Sequence, residues 1–435
     1  MYNAAVKNIK ERIAFYSRHN ILLYREIGKI KEADILKPEE LADIKERQAL
    51  KLIQYAATNS KFYKKLYSGI NLNGSFEEVY PKLPVIHKSD VKKNELQLLT
   101  TPTTFLKKGH TSGTSGSPLT VYRSTSLILK ENAYVWFYRM YYGLNPGDPI
   151  VSMRGVLDNK TLSYYNKAEN TLYLSSYLLS KPNIKKYANL LKEFKPKGIF
   201  AFPSSVFTLV NLLREEGEDI TLPLIFTSSE TLYPFQREGI ENGLHGKLHD
   251  WYGNAERTLA LGQCEEGNYH EMPLYSINEF SEKGVVTTSL LNKAFPLIKY
   301  YVDDVFRMKD GVCACGRANP VSSLEGRVDD VVLLEDGTKV GRLGVAFQGI
   351  NHLTYAQIIQ ENAAAITVNL VTSDNFGAAD QQLLESKLRN RLNNGLLINF
   401  KRIEEKDIIK TKAGKYKLVV SKIPVNTTIP VNGAV

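Results

Sequence analysis

Apolar residues recur along this chain with two different spacings, and the change between them predicts its organisation. Between Leu41 and Tyr67 apolar side chains recur every three or four residues, which predicts amphipathic helices in the first part of the chain. From about Pro146, short apolar runs alternate with helical stretches such as Ile184–Phe194 and Ser204–Glu215. Strands separated by helices are typical of an α/β domain with a largely parallel sheet. The predicted strands are Ile150–Ser152, Ile199–Phe202, Leu224–Phe226 and Lys247–Trp251.

The pattern changes again near residue 328 and predicts a second, smaller α+β domain. Two short apolar segments, Val331–Leu334 and Lys339–Val340, flank Glu-Asp-Gly-Thr, which is a hairpin signal. Ala365–Val371 alternates as a strand does, and Asp380–Leu392 has helical spacing. The apolar face expected for that helix comprises Leu383, Leu384, Leu388 and Leu392. The predicted domains are 1–327, with a helical leader over 1–70, and a small mobile domain over 328–435.

Composition and charge narrow the class of protein. The chain has 435 residues, 43% hydrophobic and 23% charged, which excludes collagen-like and largely disordered classes. Its net charge of +10 favours polyanionic partners, such as nucleotide phosphates, nucleic acid or an acidic surface. No apolar run is long enough to span a membrane, and the first residues lack the apolar core of a signal peptide. Three cysteines do not form a disulfide framework, so we expect a soluble cytoplasmic protein.

The segment from Lys108 to Pro118 is rich in glycine and hydroxyl side chains. Glycines let the backbone curl so that several N–H groups face one anion, and the hydroxyls add donors. A helix is expected to follow and to add its N-terminal dipole. The expected anion-binding residues are Thr111, Ser112, Gly113, Thr114, Ser115 and Gly116. The segment lacks the Gly-Lys-Ser/Thr of a Walker A loop, and by itself it is equally compatible with a flexible turn.

Other polar segments follow predicted strands or charged turns. In Asp250–Arg257, Tyr252 can stack on a base and Glu256 can hold a divalent cation; the alternative is a strand end with a solvated Glu. Pro296–Asp304 is an apolar strand that ends in two acids, which suit ribose hydroxyls or simply form a turn. Gly326–Asp330 and Lys410–Lys415 would each, alone, be interpreted as charged loops.

The order of these motifs resembles the adenylate-forming superfamily, which comprises acyl-CoA synthetases, luciferases and peptide-synthetase adenylation domains. The succession is Thr-Ser-Gly-Thr-Ser-Gly, Tyr-Gly-x-x-Glu, Tyr-x-x-x-Asp, Gly-Arg-x-Asp-Asp and Thr-x-x-Gly-Lys. Within the superfamily the chain is most similar to the phenylacetate–CoA ligase family, through Tyr55–Tyr63 and Cys-Ala-Cys-Gly-Arg317. The Asp-Gly-Thr-Lys-Val340 hairpin is closer to the capsular-polysaccharide, CapK-like subgroup. The resemblance therefore implies a large adenylate-forming domain followed by a small C-terminal domain.

The resemblance also implies roles for single residues. The loop from Thr111 to Gly116 would wrap the β- and γ-phosphates of ATP, and Glu256 would bind Mg²⁺. Asp329 would be the hinge of the small domain, and Lys415 would neutralise charge between the carboxylate and the α-phosphate as acyl-AMP forms. The adenine and ribose contacts would come from Ser229, Glu230, Tyr252, Gly253, Asp304 and Arg327. Such positioning and charge neutralisation is what phosphoryl chemistry of this type requires.

This sequence departs from the family pattern at several positions. Ser117 stands where the family's loop usually carries a Lys, so that a phosphate-binding cation is missing or comes from elsewhere. Val302-Asp303-Asp304 replaces the usual Thr-Gly-Asp and keeps the ribose acid without the Gly turn. The segment after Asp330 differs from that of the catabolic phenylacetate ligases, which leaves the use of CoA open.

All three cysteines lie in two loops that also contain a histidine. Cys264 and His270 follow the Tyr-Gly-x-x-Glu segment, and Cys313 and Cys315 lie in a second turn. Three thiolates and one imidazole form a complete tetrahedral Zn²⁺ set, and a closed set is structural. Relatives in this branch carry a metal-binding Cys cluster in the same region, which adds to the prediction. The alternative is three reduced thiols and a hydrogen-bonded histidine.

The predicted function is therefore an ATP- and Mg²⁺-dependent ligase that converts a carboxylic acid to acyl-AMP with release of pyrophosphate. CoA is the default acyl acceptor, as in a phenylacetate–CoA-ligase-like acyl-CoA synthetase. An amine or hydroxyl in capsular polysaccharide synthesis and a non-catalytic family member are the alternatives. A nucleic-acid-binding protein would explain the charge, but basic and aromatic residues do not interleave. The identity of the acid and the oligomeric state, a homodimer being common in this branch, stay open. The aromatic run Tyr134–Tyr142 is interpreted as core packing, with lining of the acyl pocket as the alternative.

Overall fold

The computed structural model describes most of the chain. The described residues are 11–12, 15–16, 19–110, 119–157, 160–327, 332–335, 339–340, 343–347, 350, 352–392, 395–409 and 417–423. Contacts within the chain divide it into two compact units. The larger comprises Met1–Leu232 and Gln236–Glu325, and the smaller comprises Tyr233–Phe235 and Gly326–Val435. No helix in the described part of the chain is both long and apolar enough to cross a membrane.

The helices are numbered in chain order. They are α1 (Ile21–Asp34), α2 (Pro38–Asn59), α3 (Lys61–Leu66), α4 (Phe76–Val79), α5 (Lys88–Lys93), α6 (Thr125–Tyr141), α7 (Ile184–Phe194), α8 (Pro203–Glu215), α9 (Pro234–Leu244) and α10 (Ala378–Arg389). The predicted stripe from Leu41 to Tyr67 is divided between α2 and α3. Ser60 adopts an extended conformation between them, and its side chain accepts a hydrogen bond from the backbone N–H of Tyr63. Such a cap ends one helix and begins the next.

The strands are numbered in the same way. They are β1 (Lys107–His110), β2 (Thr120–Arg123), β3 (Ile150–Met153), β4 (Ser163–Asn166), β5 (Thr171–Leu174), β6 (Gly198–Ala201), β7 (Leu224–Ser228), β8 (Lys247–Gly253), β9 (Ala260–Gln263), β10 (Tyr269–Glu271), β11 (Ser276–Ser281), β12 (Gly284–Ser289), β13 (Tyr300–Val302), β14 (Asp304–Met308), β15 (Val321–Arg327), β16 (Val332–Leu333), β17 (Lys339–Val340), β18 (Leu353–Asn362), β19 (Ala365–Thr372), β20 (Leu397–Arg402) and β21 (Val419–Ser421).

A mixed sheet forms the centre of the larger unit. Its strand order is β14-β15-β10-β9-β8-β7-β6-β3-β5-β4. The predicted parallel part is confirmed, because β3 pairs in parallel with β5 and β6, and β7 pairs in parallel with β6 and β8. The helices α7 and α8 connect these strands as crossover elements do. Strands β9, β10 and β15 then add to the sheet in antiparallel order.

The aromatic helix α6 packs on one face of this sheet and against α1. Tyr134, Trp136, Phe137 and Tyr138 are all buried, so the interpretation as core packing is confirmed for these four residues. Their polar atoms are satisfied within the core, since the Tyr138 hydroxyl donates to the backbone oxygen of Asp250 over 2.8 Å. Such satisfied hydroxyls let tyrosines occupy a core without an unpaired polar group.

The smaller unit is α+β, as predicted. Strands β16 and β17 form the expected antiparallel hairpin. A second sheet has the strand order β20-β19-β18-β21, and α10 lies between β19 and β20 in sequence. The predicted apolar face of α10 is wrong for Leu383, which is 45% exposed, whereas Leu384 and Leu388 are fully buried. Leu392 is buried too, but it follows the end of the helix. Residues four apart share a helix face, and Leu383 lies about 100° away from Leu384.

Candidate functional site

The carboxyl ends of β3, β6, β7 and β8 lie along one edge of the central sheet, because these strands are parallel. Ligands of open α/β sheets bind at such an edge. Tyr252 and Gly253 are the last residues of β8, and Ser229 and Glu230 directly follow β7, its neighbour in the sheet. The structure therefore brings these four predicted nucleotide contacts to one edge.

Tyr252 and Asp304, predicted to hold adenine and ribose, are in direct contact. The Tyr252 hydroxyl donates to Oδ2 of Asp304 over 2.5 Å. The Tyr252 ring meets the edge of Phe306 with the ring centres 5.1 Å apart. Asp304 is the first residue of β14 and follows β13 after a single residue, so that Asp303 and Asp304 join two strands. A carboxylate held beside an aromatic ring is suited to a nucleoside, whose ribose offers hydroxyls and whose base offers a flat face.

Ser229 and Glu230 lie in a strained turn. Ser229 has a φ of 74°, a left-handed conformation that costs a non-glycine residue about 1 kcal/mol. The Glu230 carboxylate accepts a hydrogen bond from the backbone N–H of Ser204 over 3.1 Å, at the start of α8. Glu230 thus satisfies a free N–H of the helix terminus and complements its dipole.

Glu256, the predicted magnesium ligand, lies among tyrosine and arginine side chains. The Tyr300 hydroxyl donates to its Oε1 over 3.1 Å. Arg123 from β2 donates to the backbone oxygen of Ala255 over 2.7 Å. Within the described residues, Nε of Arg123 and Nη1 of Arg257 are buried without a hydrogen-bond partner. Burial, and the positive charge of Arg257, lower the pKa of Arg123.

Glu131 of α6 completes this charged group. The Tyr275 hydroxyl donates to its Oε2 over 2.5 Å, and burial raises the pKa of the carboxyl group against the effect of Arg257 and Arg123. The predicted site residues do not include Glu131, Arg123, Arg257 or Tyr275. A signal for one of them was present, because Glu131 lies just before the aromatic run that begins at Tyr134 of the same helix.

The glycine-rich segment Thr111–Gly116, together with Ser117, lies outside the described residues. Its flanks correct one expectation, since β1 and β2 are antiparallel and His110 pairs with Thr120. A strand, and not a helix, therefore follows the segment, so a helix dipole does not act on it directly; α6 begins only after β2.

Other predicted residues also lie wholly or partly outside the described part of the chain. Asp329 and Lys415 are not described, and Arg327 is described only as the last backbone position of β15. Their predicted roles as hinge, catalytic lysine and ribose contact stay predictions.

The four predicted metal ligands form one cluster. The ligand atoms of Cys264, His270, Cys313 and Cys315 all lie within 4.8 Å of one another. Sγ of Cys264 is 3.8 Å from Sγ of Cys313, and Sγ of Cys315 is 3.3 Å from Nε2 of His270. In a tetrahedral site with Zn–S bonds of about 2.3 Å, neighbouring sulfurs lie about 3.8 Å apart. The donor set and its spacing therefore fit a closed zinc site.

The protonation of the cluster also suits a cation. Burial, and the positive charge of Arg317, lower the pKa of His270 to about 4, so that its imidazole is neutral at pH 7. Burial opposes ionisation of Cys313, but hydrogen bonds from the backbone of Cys315 and from Asn268 lower its pKa. Burial raises the pKa of Cys264 to about 12, so this thiol keeps its proton until a metal displaces it.

Comparison with known proteins defines the class first. The fold is that of the adenylate-forming ligases: the solved structure of 2-hydroxyisobutyryl-CoA ligase in the postadenylation state with 2-HIB-AMP superposes with a TM-score of 0.69, at 17% identity over 89% of this chain and 90% of that one. The same ligase with 2-HIB-AMP and CoA, in the thioesterification state, gives a TM-score of 0.56 at 18% identity over the same shares of the two chains.

Sequence comparison then gives the particular relatives. Residues 332–422 match the CapK C-terminal domain. The chain is 23% identical to Protein CapK of Staphylococcus aureus over 96% of both chains. It is 26% identical to phenylacetate-coenzyme A ligase of Thermus thermophilus, over 70% of this chain and 74% of that one. The resemblance to the phenylacetate–CoA ligase family and its CapK-like subgroup is thereby confirmed.

Proposed function

We propose that this protein is an ATP-dependent ligase that activates a carboxylic acid as acyl-AMP and then transfers the acyl group to CoA. The observation that carries the proposal is the 2.5 Å contact between Tyr252 and Asp304 at the carboxyl edge of the sheet. It brings together the two residues to which the motifs assign adenine and ribose. The fold of the adenylate-forming ligases supports the same reaction class.

In this proposal each residue acts by position or by charge. Tyr252 stacks on adenine opposite Ser229 and Glu230, and Asp304 accepts hydrogen bonds from the ribose hydroxyls. Glu256 would hold Mg²⁺, which would supply positive charge to the phosphates; the carboxylate oxygen of the acid attacks the α-phosphate, and pyrophosphate leaves. Because the attacking carboxylate is already ionised at pH 7, the step needs cations and alignment more than a general base.

Arg123 is our candidate for the phosphate-binding cation that Ser117 does not provide. Its strand directly follows the glycine-rich segment, and its guanidinium donates to Ala255 beside Glu256. Its buried Nε has no hydrogen-bond partner in the described structure and is thus available to a phosphate oxygen. A Cβ on Gly109 would come within 2.4 Å of the Arg123 guanidinium, so glycine at this position leaves room for it.

Lys415 and Asp329 have their proposed roles in the two half-reactions. Lys415 neutralises charge while acyl-AMP forms. The small domain then rotates about Asp329, so that Lys415 leaves the site and a different face of the domain takes its place for acyl transfer. The likeness to Protein CapK over 96% of the chain favours one alternative acceptor, an amine or hydroxyl in capsular polysaccharide synthesis.

Separate measurement of the two half-reactions tests this function. ATP–pyrophosphate exchange with a panel of acids reports acyl-AMP formation, and transfer from supplied acyl-AMP reports the second step. We expect Lys415→Ala to reduce exchange by about 100-fold or more, because a charge contact made in the transition state is lost, and to spare transfer. Lys406→Ala is the matched control, since Lys406 is exposed and pairs only with Glu404 among the contacts described for it.

Three results would contradict different parts of the proposal. Failure of every acid to support exchange, together with failure of ATP to bind, would exclude the ligase. Equal losses in both half-reactions of Lys415→Ala would exclude the role given to the lysine. Transfer to amines or hydroxyls but not to CoA would move the assignment to the alternative acceptor.

We further propose that Cys264, His270, Cys313 and Cys315 hold a structural Zn²⁺ ion. The site would fasten the turn between β14 and β15 to β9 and β10, because its ligands come from both places. We expect about one zinc per chain, no zinc in Cys313→Ser, and a lower melting temperature after chelation. His270→Ala should lose zinc, and His245→Ala, at an exposed histidine, should retain it. Metal-free wild-type protein with freely titratable thiols would contradict the site.

A further inference from the structure

A second pair of arginines, Arg139 and Arg154, lies near the sheet edge with no acid partner in the part of the chain that the structure describes. Arg139 of α6 has its guanidinium carbon 3.5 Å from the ring centre of Phe200 and 5.2 Å from that of Trp136. Both rings are buried, so the cation lies against aromatic groups of the core. Cation–π contact stabilises a guanidinium but leaves its N–H groups unused.

Arg154 follows β3 at its carboxyl end and lies beside Arg139. Side chains alternate along a strand, so Arg154 continues the face of Ile150, which packs in the same cluster as Trp136 and Phe200. Arg154 is accessible to solvent, yet surrounding protein lowers its pKa by desolvation. The Arg154 side chain is therefore reachable from solvent although other parts of the protein lie close to it.

The pair is electrostatically unfavourable as it stands. Burial, and the neighbouring charge of Arg154, lower the pKa of Arg139 well below its usual value. Within the described residues neither guanidinium makes a hydrogen bond or an ion pair with an acid. Desolvated like charges without a counter-ion are costly, and a bound anion would remove that cost.

The distance from the proposed phosphate site is that of a small molecule. Glu131, which interacts with Arg123 and Arg257, precedes Arg139 by two turns of α6, a rise of about 12 Å. β3 is three positions from β8 in the sheet, which corresponds to about 14 Å. An acid activated next to Glu256 can therefore reach the arginine pair with its far end.

We propose that Arg139 and Arg154 bind a second anionic group, carboxylate or phosphate, at the far end of the acid substrate. The inference rests on the proposed ligase function and specifies its substrate class as an acid with a distal anion about 12 Å from the reacting carboxylate. The guanidinium forks suit the planar oxygens of a carboxylate or the oxygens of a phosphate, and the aromatic contact keeps Arg139 oriented.

The test compares acids of equal length in ATP–pyrophosphate exchange. The series comprises dicarboxylates from succinate to sebacate, the matching monocarboxylates, phosphonocarboxylates and ω-amino acids. The wild-type protein should prefer the longer doubly anionic acids. Comparison of dicarboxylates with phosphonocarboxylates of equal length shows whether the site prefers a carboxylate or a phosphate-like group. Arg154→Gln should lower kcat/KM for the preferred acid by about 10- to 100-fold and leave the monocarboxylate unchanged, as expected for the loss of a charged hydrogen bond.

Two further variants make the test specific. Arg154→Glu should shift the preference towards ω-amino acids, which a merely structural role for Arg154 does not predict. Arg214→Gln is the matched control, because Arg214 lies exposed at the end of α8 and should leave all preferences unchanged.

The outcomes separate this inference from the ligase function. Exchange with monocarboxylates and dicarboxylates alike, or an equal loss for both in Arg154→Gln, would overturn the inference and leave the ligase intact. If no acid supports exchange, calorimetry measures the binding of sebacate directly. Binding that is weaker in Arg154→Gln but not in Arg214→Gln supports the anion site. Absence of binding to the wild-type protein overturns the inference.

Discussion

At the scale of single residues, the larger unit holds several ionisable side chains where water is largely excluded. Asp250, two residues before Tyr252 in β8, is only 1% exposed. Its carboxylate accepts hydrogen bonds from Thr227 over 2.5 Å and from Tyr269 over 2.7 Å. These bonds connect β8 with strands on both sides of it, so they fix the strand that carries Tyr252. His249 of the same strand is 7% exposed and stacks on Tyr142 with the ring centres 3.5 Å apart.

His249 leads to a prediction about stability and pH. Burial, together with the charges of Arg237 and Lys247, lowers its pKa from 6.5 to about 4. A lowered folded-state pKa contributes stability that is present above pH 6.5 and is lost as the pH falls towards 4, because the unfolded chain takes up the proton first. The difference corresponds to about 3 kcal/mol. Between pH 8 and 4 the melting temperature of wild type should fall more steeply than that of His249→Gln, which lacks this titrating group; equal slopes would contradict the prediction.

At the scale of elements, close helix packing depends on residues without side chains. Helices α8 and α9 approach so closely that a Cβ on Gly243 would lie 2.2 Å from Cγ1 of Val210, and one on Gly239 would lie 2.7 Å from Cε2 of Phe207. Both helices flank β7, after which Ser229 and Glu230 contribute to the candidate site. The packing of α8 against α9 therefore helps to position that edge.

Two glycine substitutions should have opposite effects. Gly243→Ala forces α8 and α9 apart and should lower the free energy of unfolding by about 1–3 kcal/mol. Gly28→Ala in α1 meets no atom within 4 Å and should raise it by about 0.5–1 kcal/mol, since alanine favours the helix. Urea unfolding of both variants measures the difference. Destabilisation of similar size at both positions would mean that overpacking is not the cause.

At the scale of the whole molecule, the smaller unit is not continuous in sequence. Tyr233–Phe235 belong to it although strands β8 to β14 of the larger unit follow them in sequence. The Tyr233 ring packs on the core of the smaller unit, and a Cβ on Gly344 would lie 2.1 Å from Cε1 of this ring. A segment far away in sequence thus contributes to the core of the CapK-like C-terminal domain.

Tyr233→Ala should therefore destabilise the smaller unit and spare the larger one. Removal of a partly buried ring should lower the protection of β18 and β19 amides by about 1–3 kcal/mol, with β6 and β7 unchanged. Hydrogen exchange followed by mass spectrometry resolves the two sets of strands. Tyr177→Ala, at a 41% exposed tyrosine of the larger unit, is the control and should leave β18 and β19 unchanged.

Much of the fold follows from local pattern. The period of apolar residues predicted α7 over its full length and the β16–β17 hairpin, because each depends on residues near in sequence. The break at Ser60 was missed, since one serine among helix-compatible residues changes the period little. The exposed position of Leu383 was also missed, because the burial of a leucine depends on what packs against its helix.

The candidate site, like the fold, could be predicted from the sequence only in part. The motif order by itself predicted the reaction class and the nucleotide contacts, since chemistry restricts which residue types stand in each motif, and the positions of the cysteines and one histidine predicted the zinc ligand set. Tertiary structure alone decided that Tyr252 touches Asp304 and that Arg139 and Arg154 lie together with no acid partner among the described residues. The arginines belong to no motif, and their meaning depends on the proximity of residues that only the folded chain brings together.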